Sequence, residues 1–159
     1  MKNELIEALR DKLNQLNKMR GNLEYSREKI AGWWRVDSDF NQWNDAQLES
    51  LAAFKGRFAE LQDHLASAMK LIASIEGERT EAFTYVLNYM AQLYVLDSVE
   101  GWRDVRDLRN AATHDYADSE AVKAMHFHRL IQNTHYLYDT LDKLKQFAAA
   151  AYPEKQQET

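Results

Sequence analysis

Apolar side chains recur along this chain at the spacing of a helix face, three or four residues apart, and seldom in alternation. Leu5, Leu9, Leu16, Met19, Leu23 and Ile30 fall within one narrow arc at 100° per residue, which predicts an amphipathic helix from about Asn3 to Ile30, with Gly32 as its stop. Leu51, Phe58, Leu65 and Ile72 repeat every seven residues and interleave with Phe54, Leu61, Ala68 and Ile75. That is the seam of a bundle helix, with Asn44 able to cap it and Gly77 to end it. Thr80 is placed to cap a third helix carrying Phe83, Val86, Met90 and Leu93, and Ser98 a short fourth carrying Trp102, Val105, Leu108 and Ala112. From Asp118 a last long helix is expected, its core face running Phe127, Leu130, Thr134, Leu137, Leu141, Leu144, Ala148 and Ala151.

No stretch alternates apolar and polar residues with β-branched enrichment, so a sheet has no material to be built from. The expected fold is all-α, an up-and-down bundle of four to five helices with long antiparallel members. It forms one domain over residues 1–152, and residues 153–159 form a flexible polar tail. Trp33, Trp34 and Trp43 sit in an acidic, aromatic connector between the first two helices and are expected to close one end of the bundle.

Composition supports long helices. The only proline is Pro153, and the five glycines are scattered. With no cysteine there is no disulfide framework, thiolate metal site or cysteine nucleophile, which fits a reducing compartment and makes the cytoplasm the expected location. The first residues lead straight into the charged amphipathic pattern, and no apolar run is long enough to span a bilayer, so no membrane association is expected. A formal net charge of −5 argues against broad nonspecific binding to nucleic acid, DNA included, because such binding depends on neutralised phosphates. Any RNA contact must be local.

The fourth predicted helix ends in Arg109-Asn110-Ala111-Ala112-Thr113-His114-Asp115-Tyr116, which brings a guanidinium, an amide, an imidazole and a phenol within eight residues. Composition alone yields roughly 0.3 Arg-x-x-x-x-His pairs, and requiring Tyr two residues later lowers the expectation to roughly 0.02. The full string is informative and the bare pair is not. On one straight helix His114 is rotated about 140° from Arg109, so the two converge only if the helix stops before His114 or a second copy contributes across a twofold axis. Two copies would make an electropositive slot suited to one phosphodiester. There a ribose 2′-hydroxyl attacks its own phosphate, with His114 as general acid or base and Arg109 stabilising the phosphorane, and no metal or cofactor is needed. Against this stand ordinary roles: Arg109 snorkelling over the core edge to pair with a carboxylate, His114 as a helix C-cap, Asn110 as a local backbone partner.

Other chemistry is sparse. Arg103, Arg106 and Arg109 form a ridge, but residues 101–130 hold five basic side chains against five acidic ones, a mixed solvated surface. His126 and His128 are two apart on a helix and face different sides, which reads as surface histidines and not a metal pair. Asp37, Asp39, Glu76 and Glu78 lack metal-ligand spacing.

An all-helical chain with Arg-x-x-x-x-His-x-Tyr, here Arg109 to Tyr116 with Asn110 following the arginine, resembles the HEPN superfamily, and most closely its HepT-like branch. The resemblance is carried mainly by residues 80–148. It implies a helical bundle that dimerises across the motif and works as a metal-independent ribonuclease toxin on tRNA or mRNA. It also implies a cognate minimal nucleotidyltransferase as the antitoxin. Arg109 and His114 would be catalytic, Asn110 the polar neighbour in the active cleft, and Tyr116 the phenol the partner adenylylates. AMP on Tyr116 would set bulk and negative charge beside Arg109 and exclude substrate phosphate. A related branch, the nucleotidyltransferase substrate-binding proteins, shares the layout and implies instead a non-catalytic subunit that binds a nucleotidyltransferase.

Overall fold

A computed structural model describes residues 1–35, 42–113 and 120–154, and every described element is a helix. They are α1 (Lys2–Ala31), α2 (Asp45–Ile75), α3 (Phe83–Gln92), α4 (Val99–Thr113), α5 (Glu120–Gln132) and α6 (Thr134–Ala151). The fold is an all-α bundle, as the periodicity requires.

Side-chain contacts fix the directions. Lys12 Nζ lies 2.9 Å from His64 Nδ1, while Arg57 donates to the Asn22 carbonyl and to Ser26 Oγ, so α1 and α2 run antiparallel. Along α1 and α6, Arg10 meets the Tyr152 carbonyl, Asn17 meets Lys145, Arg20 meets Asp142 and Glu24 meets Tyr138. These two are antiparallel as well. Lys143 reaches Asp97 just before α4, and Gly101 lies against Tyr136, which sets α4 antiparallel to α6. The long helices therefore alternate up and down, and α3 is a short insertion between α2 and α4.

The core is one cluster drawn from all six helices. Leu9, Leu16, Leu23 and Ile30 of α1 are fully buried at seven-residue spacing, against the α2 seam of Leu51, Phe54, Phe58, Leu61, Leu65, Ala68 and Ile72. Leu137, Leu141, Leu144 and Ala148 of α6 close the third side. The stripe stops there: Ala151 is exposed, and Tyr152 is buried in its place with its hydroxyl bonded to Glu76.

Local signals place most helix ends. The Asn44 side chain accepts from the Gln47 amide at 2.8 Å and Gln47 Oε1 accepts from the Asn44 amide at 3.0 Å, a complete capping box. At the other end Gly77 has φ +72°, its N–H reaching Ser74 O and the Glu78 N–H reaching Ala73 O, a Schellman motif. Ser98 Oγ accepts from the Gly101 amide at 3.0 Å and caps α4. Thr80 does not cap α3, which begins at Phe83 after an extended Ala82 with no side-chain cap.

The last helix is two helices, not one. Asn133 turns its amide onto Arg129 O at 2.8 Å, and Thr134 Oγ1 bonds Ile131 O at 2.7 Å. Side chains that satisfy the carbonyls of the preceding turn compete with the helical ladder, and the chain restarts as α6. Asp118, the expected start of the last helix, lies outside the described residues, as do residues 155–159 of the tail.

The tryptophan connector closes the end of the bundle where α1 leaves and α5 arrives. Trp43 packs on Trp33 and Trp34 at centroid distances of 5.6 and 5.2 Å, and Trp34 continues onto Phe127 at 6.3 Å. The Trp34 indole N–H donates to His128 Nδ1 at 3.3 Å. His126 and His128 are both partly exposed, and the latter accepts the Trp34 contact. Among the described residues no helix is long and apolar enough to cross a membrane.

Candidate functional site

Positions 102, 106 and 109 lie at i, i+4 and i+7 of α4 and so share a face. The first of them, Trp102, is 2% exposed and anchors the helix in the core. One turn further the same face leaves the core and carries Arg106, then Arg109. Opposite, α2 presents Gln62, Asp63 and Ala66, and Phe83 at the start of α3 covers one side. Together these residues line a cleft of about 260 Å³.

Arg109 crosses this cleft to α2. Its Nη1 lies 2.5 Å from Asp63 Oδ1 and its Nη2 3.4 Å from Oδ2, a two-point ion pair that ties the end of α4 to the middle of α2. With the Arg109 side chain 22% exposed and Asp63 61%, the carboxylate is solvated and the guanidinium mostly covered, and the pair, open to water on one side, contributes modestly to stability, about 1 kcal/mol. It bears more on charge: Arg109 and Asp63 neutralise each other, and Arg106, exposed and with no hydrogen bond or ion pair among the described residues, leaves the lining with a net charge of about +1. That is a local inversion in a chain of net charge −5.

Below the guanidinium groups sits Gln62. It is 2% exposed, and neither its amide nitrogen nor its amide oxygen finds a hydrogen-bond partner among the described residues. Gln62 falls between Phe58 and Leu65 on the apolar face of α2, where an amide costs about 1–3 kcal/mol if left unsatisfied. Sequence reasoning passed over both Gln62 and Asp63. The signal for Gln62 was available, a polar side chain in phase with the apolar seam, whereas Asp63 faces outward and only the approach of α4 gives it a role.

Of the residues singled out from the motif, Arg109 and Asn110 lie in α4. Asn110 is one position on, about 100° around the helix; it is exposed and does not line the cleft. His114 and Tyr116 lie outside the described residues, and α4 is described as far as Thr113, the residue before His114. Among the described residues no three histidine, aspartate or glutamate side chains gather in a way that could hold a metal ion.

Comparison of the chain with protein-family models, with curated proteins and with solved structures returns no match.

Proposed function

We propose that this chain is a HEPN-type, metal-independent ribonuclease, the toxin of a pair whose minimal nucleotidyltransferase antitoxin adenylylates Tyr116. The observation that carries the reading is the position of Arg109: on the last turns of α4, at a cleft of local positive charge, five residues before His114. In this scheme the ribose O2′ attacks the adjacent phosphorus and the P–O5′ bond breaks, leaving a 2′,3′-cyclic phosphate and a 5′-hydroxyl. One His114 takes the O2′ proton and the other, from a second subunit of a homodimer, supplies a proton to O5′. Arg109 exchanges Asp63 for the phosphorane oxygens, and the exposed Asp63 carboxylate is free to return to water.

Incubating the purified chain with tRNA and with mRNA in EDTA tests this. Cleavage should persist in the chelator and fall by about 10²–10⁴-fold in His114→Ala; equal cleavage by both proteins removes the assigned role.

The Arg109–Asp63 pair also favours a second reading, in which the guanidinium is a structural tie and the chain is a non-catalytic subunit that binds a nucleotidyltransferase. There Arg109→Ala leaves growth unchanged while weakening the complex with the partner enzyme. Under the ribonuclease reading the same substitution abolishes growth arrest.

A further inference from the structure

Between the first half of α1 and the last turns of α6 the bundle is not filled. Two polar contacts bridge the helices there, from Arg10 to the Tyr152 carbonyl at 3.2 Å and from Lys145 to Asn17 Oδ1 at 3.1 Å. Beside these bridges lies a hollow of about 320 Å³, which continues past Tyr152 into a second of about 460 Å³. Half-buried Ile6 and Leu13, seven residues apart on α1, and exposed Ala149 on α6 give it an apolar surface open to solvent. Together the hollows follow α1 from Lys2 to Asn17, about 22 Å at the rise of an α-helix, which is the length of four helical turns.

The walls of this groove are basic. Lys2, Arg10 and Lys145 line it against the carboxylates Glu7 and Glu154, in a chain of net charge −5. Among the described residues Arg10 and Lys145 bond only to neutral oxygens, so each edge, one on α1 and the other on α6, presents a cation that no carboxylate neutralises. Each of the six helices already commits its apolar stripe to the core, and residues 155–159 bring no hydrophobic side chain with which to cover the groove. A long apolar trough between two charged rims is the shape that receives a helix laid in by its apolar face.

We propose that this groove docks an amphipathic helix of a partner protein, its apolar face against Ile6, Leu13 and Ala149 and its flanks acidic, one row facing Arg10 and the other Lys145. No residue of the groove belongs to α4 or α5, and the proposal does not rest on the ribonuclease reading.

The test uses two fluorescein-labelled helical peptides of about 16 residues, long enough for four turns, with leucines repeating along one face. One carries glutamates on both flanks of the leucine stripe and the other carries lysines. Anisotropy titrations with the intact chain should show saturable binding of the acidic peptide, at least about tenfold tighter than the basic one, with the difference shrinking as salt is added. Ala149→Trp, at an exposed position, fills the trough and should abolish binding, while an unchanged melting temperature shows that the variant folds. Lys145→Glu leaves the shape of the trough alone; it should weaken the acidic peptide by about tenfold and strengthen the basic one. Absence of saturable binding overturns the proposal, as does equal affinity for the two peptides or binding indifferent to both substitutions. Light scattering of the chain alone supplies the competing result: a self-association that Ala149→Trp dissolves gives the groove to a second copy and overturns the partner helix.

Discussion

Tyr94 is the one non-glycine residue with positive φ among those described, at +60°, and it ends α3 as Gly77 ends α2. The Val95 N–H reaches Met90 O and the Tyr94 N–H reaches Ala91 O, so both ends use the same hydrogen-bond pattern with different residues at the left-handed position. A side chain there costs about 1–2 kcal/mol against a glycine's extra unfolded-state entropy of about 0.5–1 kcal/mol. Tyr94 is 84% exposed and gives up no packing when removed. Tyr94→Gly should therefore raise Tm by about 2–4 °C, and Gly77→Ala, with no atom within 4 Å to clash and only φ to pay for, should lower it by a similar amount. Thermal melts that move both variants the same way would contradict this account. Single residues also mark where sequence reasoning stopped. Arg109 lies at the edge of the apolar stripe, and pairing with a carboxylate is among the ordinary roles its sequence position allows. That the carboxylate is Asp63 could not be read, because a contact across 46 positions depends on which face of α2 meets α4.

At the scale of elements, helices with strong periodicity and proper caps were legible, and ends without side-chain caps were not. The α2 seam, its Asn44 capping box and its Gly77 terminus all follow from local chemistry. Because the Asn44 box satisfies two otherwise orphaned backbone amides at an exposed site, Asn44→Ala should cost about 0.5–2 kcal/mol. A urea midpoint indistinguishable from wild type would show that the box contributes nothing to folding. The start of α3 and the division between α5 and α6 were missed for related reasons. Thr80 has the right chemistry, but the chain is still extended at Ala82 and α3 begins at Phe83, without a side-chain cap to mark it. Thr134 keeps its place on the buried face at 1% exposure, so apolar periodicity passes through Asn133 uninterrupted while the backbone does not.

Over the whole molecule, tyrosines on α6 and just beyond it, half-buried at 136 and 138 and buried at 152, contribute to the response to pH. Burial, helped by the Asp97 and Asp104 carboxylates, pushes the Tyr136 phenol up to about 12. Burial likewise raises Tyr138 and Tyr152, whose hydroxyls donate to Glu24 and Glu76. The hydrogen bond from Arg27 is the main force holding the Glu24 carboxyl below its usual range; burial opposes it, and the Tyr138 hydroxyl and the Arg27 and Arg20 charges assist. A phenol raised on folding stabilises the fold fully below its unfolded value of about 10 and loses that contribution as pH climbs through the folded value. For Glu24 the contribution is present above about 4.3 and is lost as pH falls through its lowered folded value. The contribution of these groups to stability should be level between these limits and fall on both sides. In urea titrations Tyr138→Phe should shrink the alkaline limb, and should shrink the acid limb too, since Glu24 loses a donor; an unaltered alkaline limb would show that this phenol is not coupled to folding. The bundle itself was readable from periodicity alone, whereas the cleft was not, because it is built from three helices whose relative depth no single stretch encodes.

Three of the four tryptophans stack together where α1 ends, while Trp102 stands alone beside the cleft. The molecule thus carries two separate optical reporters. The cluster reports on the end of the bundle where α1 stops, whereas the buried Trp102 reports on the packing of α4. Unfolding followed by the two signals in one cuvette distinguishes a bundle that opens from one end from a bundle that melts as a unit.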